Sequence, residues 1–177
     1  FNKSMVYSLD NQLEGKFQVG GLENTVLFGG SFDRTSFNQD WDAGSGGTIN
    51  VFDPIWNGKP NTPVPVQNAQ LEQTMYGLYS QLQTKVDNWV LLLGGRLDRV
   101  NSQFRNKAGT LNAQADMNSW DSKFTWQTGV MYQFDNGMTP YVSYSTSFVP
   151  VQQISNAGAP LDPITSSQYE VGLKYEP

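Results

Sequence analysis

Along seven stretches of this chain, apolar and polar side chains alternate one by one, and the connections between the stretches run short, long, short, long, short, long. The final stretch shows the pattern best. Tyr169, Val171, Leu173 and Tyr175 fall on one side, and Gln168, Glu170, Gly172 and Lys174 on the other. Successive side chains of a β-strand point to opposite faces, so such a segment has one apolar and one polar face.

The same period of two recurs upstream. Leu13, Gly15, Phe17 and Val19 oppose Gln12, Glu14, Lys16 and Gln18, and Val26, Phe28, Gly30 and Phe32 oppose Thr25, Gly29, Ser31 and Asp33, with Leu27 out of phase. Tyr76, Leu78, Ser80 and Leu82 face away from Gly77, Tyr79, Gln81 and Gln83. Trp89, Leu91, Leu93, Gly95 and Leu97 lie opposite Arg96 and Asp98. The run Phe124, Trp126, Thr128, Val130, Tyr132 and Phe134 is the most regular, and Val142, Tyr144 and Phe148 alternate with Ser143, Ser145 and Ser147. A helical period fits none of these stretches as well.

The connections are of two kinds. Gly20–Glu23, Val86–Asn88 and Asn136–Met138 read as tight hairpin turns, with Asn136-Gly137 the strongest signal because both residues tolerate a positive φ. Residues 39–67, 107–118 and 150–163 read as loops rich in Gly, Asn, Pro and Asp. Short turns therefore gather at one edge of the sheet and long loops at the other. An outer-membrane β-barrel is built this way, with short periplasmic turns and long extracellular loops. The expected fold is an all-β antiparallel meander, part of a transmembrane β-barrel. Aromatic residues near the strand ends (Tyr7, Trp89, Phe124, Trp126, Tyr132, Phe134, Tyr141, Phe148, Tyr169, Tyr175) are expected to form interfacial girdles. A soluble sandwich core is the alternative for them.

Composition removes several function classes. The chain has no cysteine and no histidine, which excludes a disulfide framework, a Cys/His zinc site and a histidine-based triad. A net charge of −5 argues against a nucleic-acid partner. Mean hydropathy is −0.47, which a barrel tolerates because only one face of each strand is apolar. No nucleophile–base pair, phosphate loop or metal cluster suggests an enzyme. Asp40, Asp42 and Asp53 lack the spacing of a calcium loop. No leader segment opens the chain, so it reads as a piece of a longer protein.

Several runs carry a family resemblance. Phe134–Phe148, Ser167–Tyr175, Leu93–Asp98, Gly77–Gln81 and Asn50–Pro54 resemble motifs of TonB-dependent siderophore receptors, in matching order and spacing. Within that family the sequence is most similar to the ferric-hydroxamate branch, typified by the ferrichrome receptor. The resemblance implies a 22-stranded barrel in the outer membrane of a Gram-negative bacterium, of which residues 1–177 would be the central portion. A plug domain, a TonB box and carboxy-terminal strands would lie outside it. It implies a ferric siderophore as ligand, TonB, the plug and outer-membrane lipid as partners, and no cofactor, since the iron arrives chelated.

A hydroxamate complex presents an organic shell, so its receptor needs aromatic walls and hydrogen-bond donors rather than metal ligands. The candidate contacts are Trp41, Phe52 and Trp56 in the first long loop, with Phe37 at the strand end. Packing of Phe52 and Trp56 onto the barrel rim is the competing explanation. Glu14, Lys16, Asp33, Arg96, Asp98, Glu170 and Lys174 are expected to line the lumen, to contact a plug and to pair across strands. Two other classes stay open: a non-transporting barrel whose loops bind a protein, and a soluble β-module.

Overall fold

The computed structural model describes residues 2–44, 51–54, 62–106, 115–151 and 161–176. Among these described residues seven strands follow one another: β1 (Asn2–Val19), β2 (Leu22–Ala43), β3 (Val64–Val86), β4 (Trp89–Asn106), β5 (Met117–Tyr132), β6 (Met138–Val149) and β7 (Ile164–Tyr175). They form one antiparallel sheet in the order β1-β2-β3-β4-β5-β6-β7, so every strand pairs only with its neighbours in sequence. Among the described residues, β1 and β7 are the sheet edges.

The short turns show why register holds. Gly20 and Gly21 take φ of +57° and +82°, the paired left-handed conformation of a two-residue hairpin that matches strand twist. Asp87 supplies a φ of +51° in the second turn. The third turn differs from the expected Asn-Gly form. Only Gly137 is left-handed there, at φ +83°. Its N–H donates to the Phe134 carbonyl at 3.0 Å, and the Phe134 N–H donates to the Met138 carbonyl at 2.8 Å. This is a three-residue loop closed by a glycine bulge, with the Asn136 side chain accepting from the Met138 N–H at 3.1 Å.

Register places the expected faces as read. Leu13, Phe28, Leu78, Leu82, Leu91, Leu93, Leu97, Val130, Val142 and Val171 share one face. Among the described residues no second layer covers this band: Leu93 is 58% exposed. Aromatics border it. Trp89, Tyr132 and Phe134 stack at the short-turn end, with ring centroids 4.9 and 4.6 Å apart. Nearer the long loops Phe32 packs on Tyr76, whereas Trp126, Tyr144 and Tyr169 stack in series in the register rows of Gly95 and Leu93, within the band rather than at its border. Tyr141 corrects the girdle expectation. It pairs with Gly172 on the opposite, inward face, where its hydroxyl donates to Glu170 at 2.6 Å.

The strands also outrun the expected spans. β1 to β4 have 18 to 23 residues, where about 9–11 suffice to cross a bilayer. Gln39–Ala43 pairs with Val64–Ala69, and Met117 and Asn118 open β5, so the first two long loops are shorter than read. In these extensions the faces trade character. Outward positions become polar (Arg34, Thr74, Asn101, Gln103), and inward ones become apolar (Phe37, Leu71, Val100, Phe104). Val100 is 0% exposed and Phe104 7%, and among the described residues the small buried core gathers at the loop end, with Val90 a separate buried position beside the second short turn.

Candidate functional site

All seven charged residues expected in the lumen fall on the inward face: Glu14, Lys16, Asp33, Arg96, Asp98, Glu170 and Lys174. The expected cross-strand ion pairs do not form there. Lys16 pairs with Glu14 at 3.1 Å and Arg96 with Asp98 at 2.7 Å, each within its own strand. The cross-strand pair among the described residues, Arg34–Glu72 at 3.3 Å, lies on the outward face above the apolar band. Within a strand, residues two apart share a face, so long side chains meet there without waiting for register.

What joins the strands is a hydrogen-bonded lacing over glycines. The Arg96 Nε lies 2.8 Å from both Asp98 carboxylate oxygens, and its Nη2 donates to Ser31 Oγ at 2.7 Å. To reach Ser31 on β2 the guanidinium crosses β3 over Gly77, where any Cβ would collide with it. The Tyr79 ring lies 5.4 Å beneath the guanidinium, crosses β2 over Gly29, and donates its hydroxyl to Asp10 on β1 at 2.6 Å. Four strands are thus linked by two side chains that glycines let lie flat. Gln127 continues the row by donating to Gln81 at 3.1 Å. Tyr141 repeats the device over Gly172. Asp10, Tyr79, Gln81, Arg96, Thr125 and Gln127 border a recess of about 350 Å³. Sequence reading found Arg96 and Asp98 but not Asp10, Ser31 or Tyr79. The register opposite Gly29 and Gly77 was the signal for them.

The aromatic candidates lie at the loop end. Phe37 is half-buried on the inward face opposite Leu71. Trp41 follows on the same face, opposite Gln67 and just before a bulge, and is 55% exposed. Four residues of strand separate them by ~13 Å, room for a bulky ligand between two rings. Phe52, 97% exposed, belongs to the segment 51–54 rather than to a strand. Trp56 lies outside the described residues. The structure thus brings Phe37 and Trp41 to one wall and does not bring Phe52 into the sheet. Among the described residues no group of three acidic or other metal-ligating side chains gathers. The wall offers hydrogen-bond donors and acceptors below and aromatic surface above.

Comparison with known proteins agrees with this architecture. The ferrichrome outer membrane transporter/phage receptor of Escherichia coli is 36% identical over 97% of this chain and 23% of its own length. The ferrioxamine B receptor of Salmonella typhimurium is 33% identical over 99% of the chain and 24% of its own. The chain therefore spans about a quarter of the curated relatives it matches. The unliganded ferric citrate transporter FecA superposes with a TM-score of 0.79 over 98% of this chain and 25% of that one, at 14% identity. The ferripyoverdine receptor of Pseudomonas aeruginosa gives 0.76 over 99% and 23%, at 23% identity. At these identities the two structures speak for the fold alone. The family described as TonB dependent receptor-like, beta-barrel, matches residues 1–177 throughout, and the chain belongs to that family.

Proposed function

We propose that the protein containing this wall is an outer-membrane receptor of a Gram-negative bacterium that imports an iron-siderophore of the hydroxamate type, with energy delivered by TonB. The observation that carries the reading is whole-chain similarity at 36% and 33% identity to receptors for ferrichrome and ferrioxamine B. In this reading the inward row of Asp10, Tyr79, Arg96 and Gln127 faces the plug, and the apolar band meets outer-membrane lipid. Phe37 and Trp41 form part of the aromatic wall for the chelate, with Phe52 and Trp56 contributing from the loop. The protein binds and moves its ligand without a cofactor of its own and is not an enzyme.

Titration of the full-length receptor with ferrichrome and, separately, a ferric catecholate tests this through tryptophan fluorescence. Saturable quenching by ferrichrome alone is expected, and Trp41→Ala should weaken binding about tenfold, the loss of one well-packed aromatic contact. Quenching by the catecholate alone would overturn the hydroxamate assignment.

A further inference from the structure

The seam between β5 and β6 differs from every other in the sheet. β5 has 16 residues and β6 has 12, yet their ladder joins only Gln127–Met131 to Tyr141–Ser145. The next rung is broken by a side chain. Thr146 Oγ1 accepts from the Trp126 N–H at 2.9 Å and donates to the Trp126 carbonyl at 3.2 Å, occupying both backbone groups that β6 would otherwise pair. Beyond Thr146 the remainder of β5 pairs with β4 and the remainder of β6 with β7. A cleft of about 450 Å³ opens between them.

This cleft draws its lining from both faces of the wall. Its lining includes Lys123, Thr125 and Ser147 from the inward face and Phe124, Trp126 and Phe148 from the outward face. Its depth is that of the apolar band, because Phe124 sits opposite Leu97, itself opposite Leu78. One mouth is therefore polar and faces the lumen; the other is aromatic and faces lipid. A ligand that satisfies both is an amphiphile, with a polar head inside and a hydrocarbon chain leading out between Phe124 and Phe148.

We propose that this slot receives the apolar tail of an acylated siderophore whose iron-bearing head stays on the lumen side. The inference rests on the siderophore-uptake reading above and adds a substrate class to it. Each methylene withdrawn from water is worth about fourfold in affinity, so even a partly lodged tail raises binding by about tenfold or more.

The test uses the full-length receptor in lipid nanodiscs, carrying Thr125→Cys with Ser147→Cys. The register Gln127↔Ser145, continued by two residues, would set these positions opposite each other, and residues 1–177 hold no cysteine. Two probes are compared: a ferric trihydroxamate and the same chelate bearing a dodecanoyl chain. With the cysteines reduced, the acylated probe should bind at least about tenfold more tightly. Oxidation to the disulfide should remove that gain, read as the ratio of the two probes' affinities in the same oxidised protein. Phe124→Ser with Phe148→Ser should diminish the gain without any cross-link. Equal affinity of the two probes in the reduced protein, or a gain that survives the disulfide, overturns the slot and leaves the uptake reading standing. Failure of both probes to bind overturns both.

Discussion

Leu93→Arg tests which face of the sheet meets lipid. Leu93 lies four residues from Trp89 at the short-turn belt and four from Leu97. At ~3.4 Å per residue each distance is ~14 Å along the strand, and a tilt near 45° reduces it to ~10 Å of depth. The apolar band of such barrels is ~25 Å tall, so Leu93 sits close to its middle, where an arginine costs about 2–4 kcal/mol. Gln83 is the control. It faces inward between Thr25 and Leu92 and is exposed, so Gln83→Arg keeps its charge in water and should cost under about 1 kcal/mol. The two variants should differ by about 2 kcal/mol, roughly thirtyfold in the folding equilibrium. Denaturant unfolding of the full-length receptor in phospholipid vesicles, followed by tryptophan fluorescence, measures this. Equal losses would refute the lipid assignment, and a larger loss for Gln83→Arg would invert it.

Asp98 is 3% exposed and holds a guanidinium that is itself 31% exposed. Asp98→Ala should cost about 2–3 kcal/mol in the same unfolding assay, the lower part of the range for a broken buried pair because Arg96 can hydrate. Gly77→Val should push Arg96 off its bond to Ser31; faster hydrogen exchange in β2 and β3 is the expected result, and an unchanged exchange pattern would remove the lacing from the account. Gly21, at φ +82°, should lose about 1–2 kcal/mol on Gly21→Val, with no change in ligand affinity by titration.

Much of this wall can be read from alternation alone. Each inward charge and each outward leucine keeps the face that its parity assigns, because a one-residue slip would reverse a whole strand. The upper halves of β1 to β4 were hidden by the reversal at Leu97–Val100, where polar residues move outward and apolar ones inward. Alternation persists there with opposite sign, and the first stretch of Gly, Asn and Pro beyond Gln39 reads as loop. Tyr141 looked like a girdle residue because it is aromatic and near a strand end; its partner Gly172 shows why it lies inward instead. The candidate site was legible only in part. Phe37 and Trp41 share a wall by parity, whereas the bonds of Tyr79 to Asp10 and Arg96 to Ser31 span two strands. No local pattern records a contact between residues that far apart in sequence.

The meander order carries a consequence for how such a wall is assembled and altered. Each hairpin depends on the one before it and the one after it, and on no distant strand. Growth of the sheet can therefore proceed like a zipper, one strand at a time, with a single connection, short or long by turns, to close at each step. The same linear dependence lets a long loop be lengthened or replaced without disturbing pairing two strands away. Tyr79, Arg96 and Gln127 are the exceptions to that freedom, since each reaches past the adjacent strand to the next and ties neighbouring hairpins together.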